Sequence, residues 1–139
     1  MANTDIANLL QLESADLTAL EAASTAVRKW ACNTYADTQV IGKDRYHFMT
    51  AWEPPFKKVK QLSKEHAAVQ FTLWGDALSK HHWICKSIFS AGKSQDWVVS
   101  IVDDDFEQIF TEVYGQDYTQ WKADPQAPFA ALLQTTVQR

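Results

Sequence analysis

The densest set of chemically capable side chains in this sequence is HHWICKSIF, residues 81–89, where His81, His82 and Cys85 stand within five positions. Imidazole and thiolate are zinc ligands. On a helix His81 and Cys85, four apart, share a face, as do His82 and Cys85 at three apart. Two ligands do not make a site, because zinc takes three or four, oriented by a further shell of hydrogen bonds. The sequence has no CxxC and no HExxH, and its remaining histidines, His47 and His66, lie on other segments. The simpler expectation is that Cys85 packs as a small apolar residue beside Ile84, Ile88 and Phe89 on the buried face of a helix. A weaker echo, KWACNTYA at 29–36, is too short to separate a duplicated helix from coincidence. No cofactor, metal or catalytic group is expected. A small enzyme or metal-binding protein built on His81, His82 and Cys85 stands as the alternative.

Three other clusters carry charge or aromatic surface. Asp103, Asp104 and Asp105 are consecutive, so on a helix their carboxylates diverge, and the run lacks the spaced ligands and glycine of a calcium loop. A solvated acidic face, open to a partner, is expected there. The lysines of KKVKQLSK, residues 57–64, have no glycine-rich loop beside them and fall around a helix rather than along one stripe. A nucleic-acid or phosphate binder using 57–64 is a second alternative. In RYHFMTAWEPPF, residues 45–56, the aromatic residues Tyr46, Phe48, Trp52 and Phe56 crowd a short segment. A short helix has one buried face; Phe48, Met49 and Trp52 fit it, leaving Tyr46 and Phe56 elsewhere. Aromatics beside basic residues are the usual makeup of a protein-binding hot spot. The expected partner-binding residues are therefore Tyr46, Trp52 and Phe56 as anchors and Lys57 and Lys58 on the rim, with Asp103, Asp104 and Asp105 next in line.

The elements that would position these residues read as helices. Each of Gly42, Gly75, Gly92 and Gly115 is followed within two residues by Asp44, Asp76, Ser94 or Asp117. Glycine ends a helix without strain in the left-handed region, and Asp or Ser starts the next by accepting from free backbone N–H groups. Residues 16–36 place Leu17, Leu20, Ala23, Val27, Ala31 and Tyr35 at three- and four-residue steps. Similar stripes predict helices over 44–53, 55–74, 76–91, 95–114, 117–123 and 128–137. An unbroken stripe from Ala67 through Trp74 to Ile88 also allows one long helix across Gly75. WVVSIV, residues 97–102, reads as strand as well, since β-branched residues dominate it; the helix is the expectation.

Composition bounds the rest. The chain has 139 residues, 46% of them hydrophobic and 22% charged, which suits a single folded domain spanning 1–139. The expected fold class is all-α, a single-domain bundle of five to seven helices with short connections. A net charge of −4 argues against general nucleic-acid binding, which needs a basic footprint. That charge is segregated. Residues 43–64 carry six basic side chains against two acidic, and residues 93–125 carry eight acidic against two basic. With two cysteines, no basic leader at the start and no apolar run of membrane-spanning length, a cytoplasmic protein without a membrane span is expected. The expected function is that of a small acidic protein-binding module, inhibitor-, immunity- or antitoxin-like, acting through surface contacts with a partner protein rather than as an enzyme.

Overall fold

Residues Ile6–Glu13, IANLLQLE, form strand β1 at the centre of an antiparallel sheet. Ile6, Leu9 and Leu10 are completely buried. A strand covered on both faces needs apolar side chains at successive positions, so it shows no alternation of apolar and polar residues. The computed structural model describes residues 6–129.

From β1 the chain enters helix α1, Leu17–Thr34, where the Asp16 side chain accepts from the Ala19 N–H at 3.1 Å. Ala23, Val27 and Ala31 are its buried stripe. Strands β2, Gln39–Ile41, and β3, Arg45–Thr50, follow as a hairpin turned at Gly42, which has a φ of 68°. Pro54 and Pro55 lead into helix α2, Phe56–Glu65, and strand β4, Gln70–Ala77, returns along the other side of β1. This β-α-β-β-α-β path gives the strand order β2-β3-β1-β4. One helical turn, α3 at Leu78–His81, leads into a second hairpin on the β4 side, β5 at Trp83–Ser90 and β6 at Lys93–Val99. The two-residue turn Ala91-Gly92 has φ of 51° and 82°, the double positive φ that matches the twist of a hairpin. Helices α4, Phe106–Tyr114, and α5, Tyr118–Ala123, complete the described chain.

The sheet has six strands in the order β2-β3-β1-β4-β5-β6 and is packed on both faces. On one face Leu10, Leu12, Tyr46, Phe48, Phe71, Leu73 and Phe89 meet Ala23 and Val27 of α1 and Val59 and Leu62 of α2. On the other, Ala7, Leu9, Trp74, Ile84 and Val99 meet Phe106, Ile109, Phe110 and Val113 of α4. Each large side chain buried this way contributes about 1.5–3 kcal/mol relative to exposure. Phe129, fully buried, joins the second core, and its N–H donates to the Val113 carbonyl at 2.8 Å.

The all-α bundle is thereby corrected: the core of this chain is a sheet. Helices do form near 16–36 and 117–123, but 44–53 contains β3 and 76–91 contains β5. The 55–74 stripe is helix only to Glu65, and 95–114 divides into the end of β6 and α4. The helix expected over 128–137 lies, from 130 onward, outside the described residues. Three of the glycines do have positive φ, as a helix stop requires, but only Gly115 joins two helices; Gly42 and Gly92 turn hairpins. A left-handed residue serves both purposes, and the side chain that follows does not distinguish them. Gly75 lies inside β4, paired with Asn8 and Cys85, so the question of a helix broken there disappears.

Candidate binding site

A pocket opens where β4 ends beneath α4 and α5, with a volume of about 420 Å³. Asp76 lies at its floor. In the register of β4 it projects to the α4 side of the sheet, opposite in direction to Gly75. Its two carboxylate oxygens are held separately: Oδ1 accepts from the Leu78 N–H at 3.1 Å, and Oδ2 accepts from the Tyr114 hydroxyl. Burial pushes the Asp76 carboxyl above the ordinary carboxylate range, and the two hydrogen bonds oppose that shift without cancelling it. The Tyr114 hydroxyl is raised in turn, first by burial and then by the Asp76 charge it donates to.

The walls are aromatic. Phe106, Tyr114, Tyr118 and Trp121 line the cavity, with Leu78, Ile101 and Pro128 completing the apolar surface. These rings brace one another. Tyr114 and Trp121 have centroids 5.1 Å apart, Tyr118 and Trp121 stack at 6.0 Å, and Phe106 meets Tyr118 edge-on at 5.6 Å. Gly115 ends α4 in the left-handed region, and Asp117 starts α5 by accepting from the Gln120 N–H at 2.8 Å, so the turn that folds α5 over the pocket is fixed from both sides. The Trp121 indole N–H donates to the Gln126 carbonyl at 2.9 Å, which holds the ring in place and ties the segment after α5 to the rim.

A second feature adjoins the first. The outer edge of β6 has no strand beyond it among the described residues. At its end and just beyond, the chain exposes Val98, the next-to-last residue of β6, to 60%, and then Ile101 to 53% and Val102 to 85%. Ile101 also lines the pocket. Asp96, Asp103, Asp104 and Asp105 stand exposed around this apolar run. Asp103 has a local task as well, accepting from the Ser100 N–H at 2.7 Å to shape the turn into α4.

The residues singled out from sequence are scattered by the fold. Tyr46 is fully buried on β3, its hydroxyl bonded to Ser24 of α1, so a partner cannot reach it in the folded protein. Trp52 is 78% exposed, in the loop after β3, with a φ of 66° that is strained for a bulky residue. Phe56 is partly buried against the α1–α2 core, Lys57 is exposed and Lys58 half-buried. His81 ends α3, His82 occupies a left-handed turn, and Cys85 is buried on β5, so the helical spacing that put them on one face does not exist. Burial pushes the Cys85 thiol up to about 12. Among the described residues no group of three or more His, Cys, Asp or Glu side chains converges as metal ligands. Nor is any described helix long and apolar enough to cross a membrane.

A comparison of the sequence with family models matches residues 29–120, from the end of α1 onward and without β1, to the ferredoxin-like domain of Api92-like proteins, a fold class consistent with the β-α-β-β-α-β path and 2-3-1-4 strand order seen here. The chain belongs to that family. No curated protein and no solved structure matches it. Membership in a ferredoxin-like family also excludes the all-helical bundle. The matched span runs from within α1 to within α5, so the added β5–β6 hairpin and α4 are part of this ferredoxin-like domain as the family is defined. The pocket sits on those additions. Its residues left a trace in the sequence: Asp76 is the one acidic residue in the otherwise uncharged strand QFTLWGDA, and Phe106, Phe110 and Tyr114 recur at four-residue steps. Read as a helix N-cap, Asp76 gave no hint of a pocket floor.

Proposed function

We propose that this ferredoxin-like domain is a protein-binding module that receives an extended segment of a partner as an added strand along β6. The observation that carries this is the edge of β6, unpaired among the described residues, whose end carries the exposed Val98 and leads into the exposed Ile101 and Val102. Natural proteins usually blunt such an edge with charge, a bulge or a covering element, because its unpaired N–H and C=O groups template another strand. Here Lys93 and Asp96 interrupt the edge, but its far end is apolar. Backbone pairing supplies affinity in strand addition, and pockets for alternate side chains supply specificity. The aspartates around the run favour a partner segment with basic residues flanking an apolar one. The net charge of −4 and the acidic excess over 93–125 agree with that choice.

The test is to identify a stoichiometric partner by affinity capture from the native cell, then to map it by hydrogen exchange on the purified complex. Binding should protect amides over 93–102. Val98→Asp and Val102→Asp should each weaken it at least about tenfold, while Val40→Asp, exposed on the opposite edge strand, leaves it unchanged. Protection confined to other segments, a β6-mediated dimer of this chain, or the absence of any stoichiometric partner overturns the proposal.

A further inference from the structure

The pocket above α4 makes a more specific demand than the edge strand does. Asp76 is 8% exposed, and both of its oxygens already accept a hydrogen bond. That pattern suits the ionised carboxylate, since a protonated one would need an acceptor for its own proton. Yet among the described residues no cationic side chain bonds to it; its hydrogen-bond partners are the Tyr114 hydroxyl and the Leu78 N–H. A buried carboxylate is stable when a positive charge is placed against it. The space left for that charge is walled by Phe106, Tyr114, Tyr118 and Trp121. Aromatic faces attract cations through the negative potential over the ring, Trp most strongly, and the attraction grows as water is excluded.

We propose that this pocket binds an organic cation, an alkylammonium or guanidinium group whose charge meets Asp76 and whose carbon atoms lie among the four rings. Each carboxylate oxygen has lone-pair capacity left after its one recorded bond, so a new donor need not displace Tyr114 or Leu78. A second pointer to the same chemistry is the Lys122 ammonium, which lies 6.0 Å from the centroid of the Tyr118 ring, so one of the pocket's rings already has a cation beside it. Because Ile101 belongs both to the pocket and to the apolar run beyond β6, a lysine or arginine side chain of a docked strand can supply the cation, as can a free amine. The inference goes beyond strand docking and does not depend on it.

Nuclear magnetic resonance titration of the full chain with n-butylammonium, n-butylguanidinium and neutral 1-butanol separates the outcomes. The indole N–H signal of Trp121, assigned by its loss in Trp121→Phe, should shift saturably with one or both cations. The better cation should bind at least about tenfold more tightly than 1-butanol, and which one it is distinguishes an ammonium from a guanidinium site. Asp76→Asn should bring cation and alcohol to the same affinity while its circular dichroism stays that of the parent; if that variant does not fold, Tyr118→Leu, which keeps the Trp121 signal, should reduce the cation preference on an intact strand framework. Equal affinity for cation and alcohol in the parent, or no saturable shift with either cation, overturns the proposal.

Discussion

The Tyr114 hydroxyl donates to the Asp76 carboxylate, joining helix α4 to the end of strand β4 through two side chains that are 7% and 8% exposed. This bond crosses the boundary between the β-α-β-β-α-β core and the elements added after it. A hydrogen bond to a charged group contributes about 1.5–3 kcal/mol, and removing the donor leaves the buried oxygen unpaired. Tyr114→Phe should accordingly lower the unfolding free energy by roughly 1–3 kcal/mol in urea titrations. A loss near zero would mean that water replaces the hydroxyl at Asp76.

The same carboxylate predicts a pH dependence. Burial raises Asp76 above its ordinary value of 3.8, so over the interval between that value and the raised one the folded state retains a proton that the unfolded chain releases. Stability contributed by this group is complete at low pH and declines as pH rises through the interval. His47, lowered by burial, acts in the opposite sense: below the ordinary imidazole value of 6.5 the unfolded chain takes up a proton that the folded state resists, so stability falls as pH falls. Asp76→Asn should therefore flatten the decline on the acidic side and leave the His47 contribution in place. Urea midpoints measured from pH 4 to pH 8 for both proteins decide this; parallel curves would show that Asp76 does not retain its proton.

What the sequence made legible follows from how each segment is buried. Helix α1 has one buried stripe and a solvated face, so Ala23, Val27 and Ala31 stand out at helical spacing. Strands β1, β4 and β5 lie inside a sheet covered on both faces, and there the pattern loses its period of two. Phe71, Leu73 and Gly75 face α1 and α2 while Thr72, Trp74 and Asp76 face α4; a run of mixed apolar residues of that kind fits a helical template equally well. β1 gave no signal because its first seven residues are all uncharged, five of them apolar in no strict alternation, with the turn-favouring Asn8 among them. The acidic run at 103–105 was read as surface, and its three side chains are exposed. The pocket was invisible because it joins residues 76 and 114, which only the long return of the chain over the sheet brings together.

Cys85 and Cys32 should separate cleanly by reactivity. Cys32 is exposed on α1, whereas Cys85 is buried with its thiol raised to about 12 by burial. The thiolate is the reactive form, so a buried thiol with a high pKa reacts only when the fold opens. In native buffer a disulfide reagent should titrate one thiol quickly, and the second should appear at the rate of unfolding or on addition of denaturant. Two thiols reacting together at the faster rate would place Cys85 at the surface.

Gly75 and Cys85 face each other across β4 and β5, and their contact makes the last prediction. A methyl group at Gly75 would lie 2.7 Å from Cγ of Pro54 and 2.9 Å from Sγ of Cys85. Pro54 is buried, its ring cannot rotate away, and Cys85 is fully enclosed. Gly75→Ala should overpack this point and reduce stability by about 1–3 kcal/mol. Cys85→Ala should cost a similar amount, about 1–3 kcal/mol, by leaving a small void. The two changes compensate in part, because the sulfur that one removes is an obstacle to the methyl that the other adds. The double variant should be more stable than the sum of the single losses implies by at least about 0.5 kcal/mol, the level at which contacting residues depart from additivity. Full recovery is not expected, since Pro54 still meets the methyl. Denaturant midpoints for the four proteins complete the cycle, and strict additivity would show that the proline alone, and not the cysteine, holds position 75 to glycine.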